Sequence, residues 1–86
     1  MGLKHILVQH KYEAEDLQRK LSAGESFEEL AKKYSTCSSA KGGGDLGEVS
    51  LDRLVSEFAE AALSLNVGEI SPIVKTRFGH HLILKY

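Results

Sequence analysis

Leu3-Lys4-His5-Ile6-Leu7-Val8-Gln9, near the start of the chain, and His80-His81-Leu82-Ile83-Leu84-Lys85-Tyr86, at its end, decide the fold between them. Ile6, Leu7 and Val8 run together, so a strand here is apolar on both faces. In the last segment His81, Ile83 and Lys85 share one face and His80, Leu82, Leu84 and Tyr86 the other, because strand side chains alternate. Apolar residues on both faces need cover on both sides. The two segments therefore predict a small sheet with helices above and below it.

The residues between them supply the cover. From Tyr12 to Ala23, Ala14, Leu17 and Leu21 recur at helical spacing with charges opposite. Gly24 suits the stop of that helix. Ser26 and Glu29 have capping-box spacing, and Phe27, Leu30, Ala31 and Tyr34 follow as the core face of a second helix. Ser35 to Gly47 is irregular and holds four of the eight glycines, a density that signals positive φ or close backbone approach. It lacks the Gly-Lys-Ser/Thr of a phosphate-binding loop. A short strand from Leu46 to Val49 leaves it. Leu54, Phe58, Ala61, Ala62 and Leu65 mark a third helix, and Asn66-Val67-Gly68 turns the chain. Glu69 to Val74 reads as a strand, but Pro72 cannot donate to a ladder, so it must be an edge or bulged strand. The order is β-α-α-β-α-β-β, with the glycine loop or a short helical turn before the second strand. This is an α+β domain: a small four-stranded antiparallel sheet flanked by helices on both sides.

At 86 residues the chain has room for one domain, spanning residues 1–86. Eleven basic residues face twelve acidic ones, so no basic excess is available to neutralise phosphates, and nucleic acid is not an expected partner. The one cysteine excludes an intramolecular disulfide and a multi-thiolate zinc site. It suits a reducing compartment, and cytoplasmic residence is the expectation. No run approaches the ~18 apolar residues of a membrane span, and no basic segment leads into an apolar one at the start, so neither membrane nor secretory signal is expected. No exposed apolar stripe calls for an oligomer, so a monomer is expected.

Reactive side chains are few: Cys37, His5, His81, His10 and His80. A Cys–His nucleophile pair needs an orienting group, for which Asp45 is the only nearby candidate. A lone cysteine is more often a small buried residue. His80 and His81 point to opposite faces and cannot share a metal. His5 with His81 on neighbouring strands would make only two ligands, with no carboxylate to complete them, so no metal is expected. The plainer reading of that pair is two histidines hydrogen-bonded within the sheet.

His5-Ile6-Leu7-Val8, the Cys37-Ser38-Ser39-Ala40-Lys41 run with Gly43-Gly44-Asp45-Leu46-Gly47, the Gly68-Glu69-Ile70-Ser71 turn, and Phe78-Gly79-His80-His81-Leu82-Ile83 stand in order along nearly the whole chain. In that combination the sequence resembles the parvulin-type peptidyl-prolyl cis/trans isomerases, above all the small single-domain bacterial ones. The resemblance implies the parvulin/FKBP-like form of the α+β fold, proline-containing polypeptides as substrates, and no cofactor. Carried over by position, it implies His5 and His81 as a bonded pair on adjacent central strands, Thr76 as the hydroxyl beside them, and Cys37 facing the substrate bond. Leu46, Leu54 and Phe58 would hold the proline ring, and Ser71 matches a serine near the site. Because other members tolerate Asp at the Cys37 position, a polar contact is expected there in place of nucleophilic attack.

Members selective for phosphorylated Ser/Thr-Pro carry a longer, basic loop after the first strand. Here that connection is Gln9-His10-Lys11-Tyr12, with one fixed positive charge, so an unmodified and preferably apolar residue is expected before the proline. Lys41 and Arg77 lie near the site in sequence and leave acceptance of acidic residues open. A same-fold module that grips polypeptides with little turnover is the competing reading, and the intact residue set argues for the enzyme.

Overall fold

In the computed structural model, which describes Met1 to Tyr86, the doubly apolar segments occupy the middle of one sheet. The strands are β1 (Gly2–Val8), β2 (Asp45–Glu48), β3 (Val74–Thr76) and β4 (Gly79–Lys85), in the spatial order β2-β1-β4-β3 with every pair antiparallel. The helices are α1 (Lys11–Ser22), α2 (Phe27–Tyr34) and α3 (Ser56–Ser64). Alternation sorts the side chains to two cores. Ile6, Val8 and Leu82 meet Ala14 and Leu17 of α1 and Phe27, Leu30 and Ala31 of α2 on one face. Leu3 and Ile83 meet Phe58 and Ala62 of α3, with Leu65, on the other. In the β1–β4 register Leu3 lies opposite Lys85 and Leu7 opposite His81, and the Tyr86 amide donates to the Gly2 carbonyl at 2.9 Å.

Several local expectations change. Gly24 does leave α1 with φ of 96°, a conformation glycine adopts freely. Tyr34, read as a core residue, is 45% exposed, with the Lys20 ammonium 5.5 Å from its ring centroid. It is the last residue of α2, and its ring faces Lys20 of α1 instead of the core. Ser26 Oγ accepts from the Glu29 amide, but the Glu29 carboxylate does not return the bond. The carboxylate-to-N-cap bond occurs instead on α1, where Glu13 accepts from the His10 amide at 3.0 Å. The third helix is shorter than its apolar pattern: Leu51–Arg53 forms a separate 3-10 turn, and Leu54 and Leu65 are extended.

The expected strand over Glu69 to Val74 is broken. Ile70 makes one bridge to Leu84, and regular pairing resumes only at Val74. Pro72 lies in the gap and has no N–H to give. Ser71 repairs the ladder there. Its amide donates to the Ile83 carbonyl at 2.8 Å, and its hydroxyl accepts from the Ile83 amide at 3.0 Å and donates to the Pro72 carbonyl at 2.7 Å. The edge position of β3 agrees with the proline reading.

Candidate active site

His5 and His81 come from the two central strands and project to the α3 side. They are diagonal neighbours, since Leu7 is the direct partner of His81. Their Nδ1 atoms are 3.1 Å apart, and the rings stack at 19°. His81 Nε2 meets Thr76 Oγ1 at 2.7 Å. Thr76 Oγ1 also accepts from the Phe78 amide at 3.1 Å. One Nδ1 must donate to the other, so the two rings fix each other's tautomers as a pair, and His5 Nε2 is buried without a partner.

Both rings are held neutral. Burial first, and the His81 ring second, lower the His5 pKa from 6.5 to about 4. Burial first, and His80 second, bring His81 to about 4 as well. Phe58 closes the floor beside them, edge-on to His5 at 5.5 Å and to His81 at 5.2 Å between centroids.

The loop bearing Cys37 is fastened to β1 at both ends. The Thr36 amide donates to the Leu7 carbonyl at 2.8 Å, and the His5 amide donates to the Gly44 carbonyl at 2.9 Å. Gly44 must be glycine twice over: its φ is 82°, and a Cβ there would run into the His5 carbonyl oxygen. Cys37 caps the 3-10 turn Ser38–Gly42. Burial raises its thiol pKa, but the polar groups of Ser39 and then Ser38 outweigh that and leave it below the ordinary thiol value.

Between this loop, α3 and the sheet lies a mostly apolar pocket of about 360 Å³. It brings together six of the residues expected from sequence: His5, Cys37, Leu46, Leu54, Phe58 and His81. Thr76 stands behind His81, buried. Ser71 does not line the pocket. It lies among Gln18 and Leu21 on the α1 side, and its hydroxyl is used up in the ladder. Lys41 does not line it either. Arg53, Leu7, Val55 and Phe78 do, without having been singled out in sequence, and Arg77 joins them. Adjacency was the available signal, since Arg53 and Val55 flank Leu54, and Phe78 precedes Gly79-His80-His81. The arrangement can enclose a ring-sized apolar group beside neutral polar atoms.

Residues 5–85 match the sequence family described as "Rotamase: PPIC-type PPIASE domain". The chain belongs to the PPIC-type peptidyl-prolyl isomerase, or parvulin, family. It is 51% identical over 82 residues to the foldase protein PrsA of Bacillus subtilis (strain 168), covering 94% of this chain and 28% of that protein. The crystal structure of PrsA from Bacillus subtilis superposes with a TM-score of 0.96 at 48% identity, over 99% of this chain and 34% of that one. The solution structure of NmPin, the parvulin of Nitrosopumilus maritimus, gives 0.89 at 41% identity, over 100% of this chain and 94% of that one. The chain thus spans 28% of the length of the PrsA of Bacillus subtilis, yet nearly the whole of a small parvulin. The α+β fold and the family expected from sequence both hold, and the family is that of an enzyme, a peptidyl-prolyl isomerase.

Proposed function

We propose that this domain accelerates cis/trans rotation about X–Pro bonds of polypeptides by gripping the proline ring in the Phe58 pocket, with no covalent intermediate. The observation that carries the reading is a neutral, buried histidine pair packed edge-on by Phe58 at the floor of an apolar pocket. The uncatalysed barrier, roughly 18–20 kcal/mol, is lost amide resonance. The twisted amide has a less polar C–N linkage and a more basic nitrogen. A pocket that excludes water favours it over the planar amide. Lowering the barrier by ~5 kcal/mol gives an acceleration of roughly 10³–10⁴.

In this reading Leu46, Leu54 and Phe58 clamp the ring. His5 and His81, with Thr76 beside them, hold the floor in shape without exchanging protons. Cys37 is a polar contact to the peptide bond. Turnover is not confined to phosphorylated sequences, because the connection after β1 is short and carries little charge. The domain acts as a monomer on proline-containing chains. Its single free thiol suits a reducing compartment, and cytoplasmic residence belongs to the same proposal, for which fractionation of the source cells is the check.

A protease-coupled isomerisation assay on a Leu–Pro peptide tests the core of it. Turnover that persists after Cys37 is alkylated with a small reagent supports the non-covalent reading. Binding of the peptide without turnover would leave a polypeptide-gripping module and refute catalysis.

A further inference from the structure

Leu46 lines the pocket from an irregular point of β2. Along β1, Leu3 lies opposite Gly47, and the next residue, Lys4, lies opposite Asp45. Leu46 is therefore an extra residue with no partner across the ladder, and Gly47 beside it takes a φ of 68°. A bulged residue is aimed by the bonds around it more than by the register of the sheet. Here one carboxylate oxygen supplies those bonds. Asp45 Oδ1 accepts from the Gly47 amide at 2.8 Å, spanning Leu46, and from the Tyr86 hydroxyl at 2.5 Å. Tyr86 reaches Asp45 from two strands away. It follows β4, and its ring crosses β1 over Gly2, where a Cβ would come to 2.7 Å from Cε2. The Lys4 ammonium, itself paired with Glu28 at 2.6 Å, lies 5.3 Å from the ring centroid and steadies the ring.

We propose that Tyr86 is a positioning residue for the proline pocket: through Asp45 it holds the bulge that turns Leu46 towards the substrate ring. The inference rests on the isomerase reading and gives one wall of its pocket a fixing point outside the site. The proline ring keeps its shape while the X–Pro bond rotates. A wall against that ring therefore binds the planar and the twisted amide about equally, and loosening it raises KM with little change in kcat. The latch faces solvent and amounts to one hydrogen bond, so the effect is modest: about threefold.

The test measures kcat and KM separately on a Leu–Pro peptide. Wild type, Tyr86→Phe, Asp45→Ala and Asp45→Asn are compared, and Tyr86→Phe is repeated in a Leu46→Ala background, with thermal melts to show that each is folded. Tyr86→Phe should raise KM about threefold and keep kcat within about twofold. Asp45→Ala should raise KM at least as much, and Asp45→Asn, which keeps an oxygen acceptor, should recover most of that loss. Once the Leu46 side chain is gone, Tyr86→Phe should add nothing, because the two act as one unit. The Leu46 and Gly47 amide resonances should also move in free Tyr86→Phe, a readout that needs no substrate. An unchanged KM in Tyr86→Phe, a loss confined to kcat, unmoved amides, or a full Tyr86→Phe effect without Leu46 overturns the proposal. Peptide affinity from NMR titration separates the two layers. A wild type that binds the peptide without turning it over refutes the isomerase reading, and the affinity ratio of wild type to Tyr86→Phe then decides this one. A wild type that neither binds nor turns over overturns both.

Discussion

Acidification from about pH 7 to about pH 4.5 should cost this fold a large part of its stability, and the histidine pair is the reason. His5 is 6% exposed and His81 3% exposed. Folded, both have pKa values of about 4, against 6.5 for an ordinary histidine. In the unfolded chain both rings take up protons as pH falls through 6.5, while in the folded chain they stay neutral until about 4. The unfolded state therefore binds more protons across that window, and stability declines as pH falls through it. Above 6.5 the contribution is fully present. A depression of this size is worth roughly 3 kcal/mol for one ring. The two rings titrate as one coupled unit, so their effects do not add as independent increments. The carboxylates act lower down. Glu28 is held below the usual range by its hydrogen bond from Lys4, and Asp45 by its bond from Tyr86, so both lose their contribution only after the histidines have. Urea unfolding followed by circular dichroism is the assay. With a slope of about 1 kcal/mol/M, the midpoint should fall by roughly 2–3 M between about pH 7 and about pH 4.5. NMR titration of the imidazoles should show both buried rings unprotonated down to about pH 5. A midpoint that does not move, with both rings titrating near 6.5, would refute the buried neutral pair.

Three substitutions extend the reasoning. Phe58→Ala should lower kcat/KM more than Cys37→Asp, because truncation opens the pocket floor to water while Asp keeps a polar contact; both variants must first be shown folded, and loss of activity in the Asp variant alone would restore a nucleophilic role for Cys37. Ser71→Ala should destabilise by about 1–3 kcal/mol by leaving the Ile83 amide without its acceptor, with kcat/KM per folded molecule unchanged, as thermal melts and the coupled assay can show. Gly44→Ala should lower Tm by at least about 5 °C, since the new Cβ meets the His5 carbonyl in a strained backbone conformation; an unchanged melt would show that the Cys37 loop is not seated on β1 as described.

Alternation was the most legible part of the chain. Ile6, Val8 and Leu82 go to one core and Leu3 and Ile83 to the other, as a period of two requires. The pairing of His5 with His81 was readable from two strands able to lie side by side, while the roles of Cys37, Leu46, Leu54 and Phe58 at the pocket came from the resemblance. What sequence could not supply was length and reach. Tyr34 keeps perfect helical spacing with Leu30 and Ala31, yet its ring is 45% exposed and lies against Lys20 of α1. Leu54 and Leu65 fit the apolar pattern of α3 while standing outside it, because an extended residue can bury the same side chain as a helical one. Ser71 looked like a site residue because the turn around it matched the family. Its work is to bridge the gap that Pro72 opens in the ladder. Arg53 was invisible for the opposite reason: nothing in Leu51-Asp52-Arg53 distinguishes a guanidinium that reaches a pocket from one on an ordinary exposed turn.

The bond from the Tyr86 amide to the Gly2 carbonyl sets the two ends of the domain side by side. Antiparallel pairing of the first strand with the last makes this unavoidable, since the start of β1 must meet the end of β4. The domain therefore behaves like a bead with entry and exit holes drilled next to each other. It can be spliced into a host chain at one point without stretching that chain. Any segments joined to its two ends would leave as neighbours, free to pack on one another, while the pocket stays open to a client. A fusion that places a donor and an acceptor fluorophore at residues 1 and 86 should accordingly show high energy transfer when folded and lose it on unfolding, whatever the pocket is doing.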